Sequence, residues 1–131
     1  MAQLNMLAVV AAAVSTFVIG GLWYSVLFAK PWMRVNGFTE ADLRGGSQAK
    51  IFALSFVFAL ISAINLAMLV GTPDMTLGMG AFYGLLAGIW VALGIATVAL
   101  FERRPWLYSA INGGYWLVSF AVMGAILGGW R

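Results

Sequence analysis

The 131-residue chain is 63% hydrophobic and 8% charged, with a mean hydropathy of +0.99, whereas an ordinary soluble domain is roughly half apolar and a quarter charged. This is the composition of a membrane protein. The absence of Cys and His excludes a disulfide framework, a Cys/His zinc site, a thiolate nucleophile and a histidine acid–base catalyst. Seven Lys and Arg against four Asp and Glu are too few for a surface that tracks nucleic acid, so the net charge of +3 reads as a topology signal.

A hydrocarbon core of about 30 Å takes about 20 apolar residues in a helix. Four uncharged runs reach that length, at residues 4–29, 51–70, 75–101 and 106–130. They predict an all-α fold, a single domain over residues 1–131 built as an up-down bundle of four transmembrane helices. The first run is not a secretory signal: Met1-Ala2-Gln3 carries no positive charge, and the run ends in Trp23-Tyr24 and Lys30 rather than a small-residue cleavage site. Between runs one and two, residues 30–50 form the longest polar connection. In it Thr39 followed by Asp42 is a capping-box variant and Gly45-Gly46 a stop signal, which predicts a short interfacial helix around Glu40 to Arg44.

Lys30, Arg34, Arg44 and Lys50 share one side of the membrane with Arg103 and Arg104, and only Arg131 lies opposite. The positive-inside rule makes that side the cytoplasm and puts both termini outside it. Trp32 and Trp106 are then anchors at the inner interface and Trp130 at the outer one.

Gly80, Gly84 and Gly88 in the third run form a GxxxGxxxG row on one helical face, where a second backbone can approach closely. Ala110, Gly114, Ala121, Gly124 and Gly128 fall near one side of the fourth. Four short helices hold little core, so one stripe is expected to pack within the bundle and the other between copies in a homo-oligomer.

Polar side chains also follow helical spacing: Ser55, Ser62 and Asn65 in the second run, and Ser109, Asn112, Trp116, Ser119 and Met123 in the fourth, with Tyr115 beside them. Asn5, Ser15, Thr16 and Thr97 complete the set. An amide facing lipid is costly, so Asn65 and Asn112 are expected to point into protein, as pore lining or as hydrogen-bond glue between helices. Trp90 and Trp116, near mid-span, are expected to be satisfied internally or by water. With Tyr83 and Tyr115 they suggest either an aromatic box for an organic cation or core packing. Packing is the simpler reading, because Glu40, Asp42, Asp74 and Glu102 all lie in loops and leave no membrane carboxylate for proton-coupled export. No base accompanies the membrane serines, so the chain is read as a non-enzyme, with no cofactor or metal.

The segments GLWYSVLFAKPW (21–32), Arg104-Pro105-Trp106, INGGYW (111–116) and MGAILGGW (123–130) resemble a family of small four-helix bacterial membrane proteins catalogued as a domain of unknown function. The resemblance covers essentially the whole chain. It implies four spans in a bacterial cytoplasmic membrane and places Trp23, Tyr24, Asn112 and Tyr115 within the family's motifs. The expected activity is that of a small oligomeric channel or facilitator for an ion or small solute; the alternative is a structural or regulatory subunit that associates through its glycine stripes.

Overall fold

The computed structural model describes residues 5–39, 41 and 48–130, and among these the only regular structure is helical. Helix α1 (Met6–Gly21) passes into a π-helical segment (Leu22–Leu27), followed by α2 (Ala29–Asn36), α3 (Gln48–Val70), α4 (Leu77–Phe101) and α5 (Trp106–Gly129). Four segments are long and apolar enough to cross a membrane: Met6–Leu27, Ala49–Val70, Leu77–Phe101 and Trp106–Gly129. The chain is therefore a multi-pass membrane protein. The interfacial helix expected around Glu40 to Arg44 lies outside the described residues.

Local chemistry sets the helix ends. Asn5 lies before α1 as its cap, its Oδ1 accepting from the Ala8 N–H at 3.2 Å, and Thr76 caps α4 through the Met79 N–H at 3.1 Å. The first span ends at Leu27 rather than residue 29, because Phe28 (φ −128°, ψ 21°) breaks the helix. Residues expected to start a connecting loop form α2 instead. Pro31 is tolerated in its first turn, where backbone N–H groups have no intrahelical acceptor. Trp32, Met33 and Val35 are half-buried while Lys30 and Arg34 are exposed. Gly37 then closes α2 in the left-handed region (φ 69°), with the Phe38 N–H reaching the Met33 carbonyl at 2.9 Å. At the turn into α5, Arg103 takes the left-handed position itself (φ 57°). Arg104 there pairs with Glu102 at 3.1 Å and stands 4.9 Å from the Tyr108 ring centroid.

Helix α5 touches α1, α3 and α4, and its contact with α4 is by far the most extensive. The turn at 102–105 folds the two glycine rows against each other in antiparallel register: Gly80 meets Gly124 and Gly128, Gly84 meets Phe120 and Gly124, and Gly88 meets Trp116 and Leu117. A Cβ on Gly88 would lie 3.0 Å from the Trp116 carbonyl oxygen, and one on Gly128 would lie 2.8 Å from that of Thr76. This corrects the expectation that one stripe packs between protomers, since both are used on each other inside one chain. Gly114 is not part of that row. At about 100° per residue it points about 80° away from Gly124, and it faces Trp23.

The apolar core joins Ala8, Val9 and Ala12 of α1, Ala63, Leu66, Ala67 and Val70 of α3, and Phe120, Met123 and Leu127 of α5. It sits toward the end of the bundle that carries the termini. Toward the basic end, Phe17 of α1 holds α3 through the rings of Phe52 and Phe56, at 6.2 and 5.8 Å. Helices α3 and α4, neighbours in sequence, barely touch. Between them opens an apolar cleft of about 490 Å³ bordered by Leu66, Leu69, Met79, Tyr83 and Trp90.

Because a Cβ at Gly84 would strike the Phe120 carbonyl while one at Gly94 meets nothing within 4 Å, the two glycines should respond oppositely to alanine. Gly84→Ala is expected to lower stability by about 2 kcal/mol or more, and Gly94→Ala to leave it unchanged or raise it by up to about 1 kcal/mol. Unfolding midpoints of the purified variants in one detergent check this.

Candidate functional site

The family-like segments at 21–32 and 111–116, far apart in sequence, meet at the basic end of the bundle. The π winding over Leu22–Leu27, a form often found at functional positions, lets two consecutive residues both reach α5. The Trp23 indole N–H donates to the Ile111 carbonyl at 2.8 Å, and the Tyr24 hydroxyl donates to Asn112 Oδ1 at 2.7 Å. Asn112 Nδ2 donates in turn to the Tyr108 carbonyl at 3.0 Å. Both ends of the amide are therefore engaged, which is what a membrane interior demands.

Glycines make room for the aromatics reciprocally. The Trp23 ring lies over Gly114, where a Cβ would be 2.9 Å from it, and the Tyr115 ring lies over Gly20, where a Cβ would be 3.4 Å from it. The Tyr115 hydroxyl donates to the Thr16 carbonyl at 2.8 Å. Around these bonds Tyr24 packs on Tyr115 and Trp32, with ring centroids 5.3 and 5.4 Å apart, and Trp23 packs on Phe28 at 4.8 Å. Trp116 bridges Tyr115 and Phe120 at 5.0 and 5.9 Å. The result is an uncharged clamp binding the first span and α2 to α5. Its chemistry is hydrogen bonding and ring packing, with no acid, base or fixed charge among the groups just named.

The seven residues expected to share one polar lining divide into two sets on different faces. Asn112, Tyr115 and Ser119 lie on α5 toward α1. Asn112 and Tyr115 are held by the clamp, and Ser119 Oγ is fully buried without a well-formed hydrogen bond. Ser109, half-buried, starts the same helix. Ser55 and Asn65 are exposed on α3, Ser62 is half-buried there, and none of the three hydrogen-bonds to another described residue. Asn65 thus corrects the expectation that both amides point into protein. Among the described residues no helix packs against that side of α3, because α4 packs on α5 and leaves a cleft there.

The aromatics divide in the same way. Trp116 and Tyr115 are inside, whereas Trp90 is 71% exposed and Tyr83 45% exposed on the face of α4 that borders the cleft, so the four form no box, and Trp90 hydrogen-bonds to no described residue. Ser15, Thr16 and Thr97 hydrogen-bond to carbonyls of their own helices at 2.6, 2.7 and 2.8 Å. Of the expected interfacial anchors, Trp106 is 80% exposed at the start of α5. Trp130 lies just past the end of α5, its carbonyl accepting from Asn5 Nδ2 at 3.4 Å, while Trp32 is half-buried against Tyr24 and Phe38. Sequence reasoning missed the roles of Gly20, Thr16 and the Ile111 carbonyl. An aromatic on each helix opposite a glycine on the other was the signal, legible only once the helices were paired.

The family model described as "Protein of unknown function (DUF1761)" matches residues 7–128, and the chain belongs to that family. No curated protein and no solved structure matches it.

If the Tyr24–Asn112 bond ties the first span to α5, the pair is energetically coupled. A double-mutant cycle of Tyr24→Phe and Asn112→Ala, read by unfolding in detergent, is expected to give a coupling of about 1 kcal/mol; strictly additive losses would contradict the clamp.

Proposed function

We propose that this family member is a small oligomeric channel or facilitator, through which an ion or small solute crosses the membrane passively. The observation that carries the reading is the line of Ser55, Ser62 and Asn65 on α3, without a hydrogen bond to any described residue. A hydroxyl can turn to a carbonyl of its own helix, as Ser15 and Thr97 do, but the Asn65 amide is costly against hydrocarbon and favours water or other protein. A seam of hydroxyls and amides between copies would admit both. From Ser55 to Asn65 the line covers about 15 Å at 1.5 Å per residue, roughly half the hydrocarbon core. The route once expected past Asn112 is not part of this proposal, because the clamp occupies it.

Passive movement follows from the chemistry available. No Asp or Glu occurs within the four spans, so no span carries a carboxylate that would couple solute to protons. The same lack of a membrane acid or base supports a non-enzymatic role. The basic residues gathered at one end support a cytoplasmic placement of that end, with both termini outside, in the bacterial cytoplasmic membrane that the family resemblance implies.

A structural or regulatory subunit is the second reading, favoured by the engagement of Asn112 and Tyr115 of α5 within the fold. Such a subunit would associate through α3 and not through glycine stripes, which α4 and α5 use on each other.

Purified protein in liposomes is expected to pass a small ion or neutral solute, and Ser62→Leu with Asn65→Leu to reduce that flux about tenfold or more. Vesicles no leakier than protein-free controls, across ions and small neutral solutes, would leave the structural reading. For orientation, a tag at the N-terminus should be digested by protease added outside intact cells; protection there and digestion at the 102–105 turn would reverse the topology.

A further inference from the structure

The face of α3 that flanks the cleft toward α4 carries Ile51, Ser55, Phe58, Ser62, Asn65 and Leu69, all exposed except Ser62, which is half-buried. At about 100° per residue these six lie within about 40° of one line. Their spacing alternates between four residues and three, which is the seam of a left-handed helix pair. The line therefore has the geometry of a helix contact, and the described helices do not supply the other half: α1 and α5 pack on a face of α3 centred about 100° round from it, on Ala63, Ala67 and Val70, and α4 diverges, leaving the cleft beside Leu69.

We propose that this stripe is the contact surface for α3 of a second copy of the chain, with Asn65 paired to the second copy's Asn65. This rests on the oligomeric reading above and names its interface. Lipid tails offer an amide neither donor nor acceptor, which excludes a purely lipid covering as the stable state. The choice of a second copy follows from symmetry. Two copies inserted in the same direction run their α3 helices parallel about a two-fold axis normal to the membrane, so each residue near the axis meets its own counterpart. An amide both donates and accepts, and a hydroxyl does the same, so Asn65, Ser62 and Ser55 are each complementary to themselves. A single buried Asn is also the device that fixes register in paired helices.

The cysteine-free chain allows a direct test by oxidative cross-linking of single-cysteine variants in native membranes. Ser55→Cys, Ser62→Cys and Asn65→Cys are expected to form the disulfide-linked dimer several-fold more than Val57→Cys and Met68→Cys, which are also exposed but lie about 100–120° from the line. Adding Asn65→Leu to Ser55→Cys should lower the dimer yield about tenfold. Helical content should be retained, since the Asn65 side chain has no hydrogen bond to another described residue to lose. Equal cross-linking at both sets, absence of dimer at the stripe, or adducts only with other proteins would overturn the proposal. Stripe-specific dimer in a protein that gives no flux would reject the transport reading and keep this contact. Flux that persists without stripe-specific dimer would do the reverse.

Discussion

A polar group inside hydrocarbon must find its partner in protein or water, and the arrangement of this chain follows from where each one does. Helix α5 carries the amide of Asn112 and the hydroxyl of Tyr115, and both are engaged by the first span or by α5 itself. Helix α3 carries Ser55, Ser62 and Asn65, and no other described helix covers Ser55 or Asn65. One constraint thus separates a clamped half of the bundle, built on Asn112 and Tyr115, from an open one.

Close packing makes that separation possible. Lipid tails are as apolar as Leu and give helices no hydrophobic reason to associate, so contact must come from shape and from weak polar contacts. Glycine removes enough bulk from α4 and α5 for their backbones to touch along most of their length. A helix so committed to one neighbour has little surface for another, and α4 accordingly diverges from α3. The cleft that results, and the exposed stripe on α3, are consequences of the glycine contact rather than separate features.

The four spans were legible because charge is excluded from about 20 successive residues, a constraint the bilayer imposes whatever the helices pack against. Which face of each span meets protein was not legible. In a soluble bundle polarity marks the outer face, but here lipid and core are both apolar and the signal disappears. Asn65 and Asn112 therefore looked equivalent by spacing, yet one is clamped and the other faces outward. Glycine rows likewise read the same whether their partner is the next helix or another copy, and only the short turn at 102–105 decided between them. The π segment and α2 were missed for a different reason. Tertiary contacts of Trp23, Tyr24 and Trp32 accompany that winding, and no local periodicity announces it.

The central claim is that the polar line on α3 meets water and protein rather than lipid. Its most direct test is the reactivity of cysteines placed at Ser55, Ser62 and Asn65 toward a water-soluble, membrane-impermeant thiol reagent in sealed vesicles, beside cysteines at Val57 and Met68. The account predicts labelling along the line and none at the two lipid-facing positions. Uniform protection of all five would contradict it.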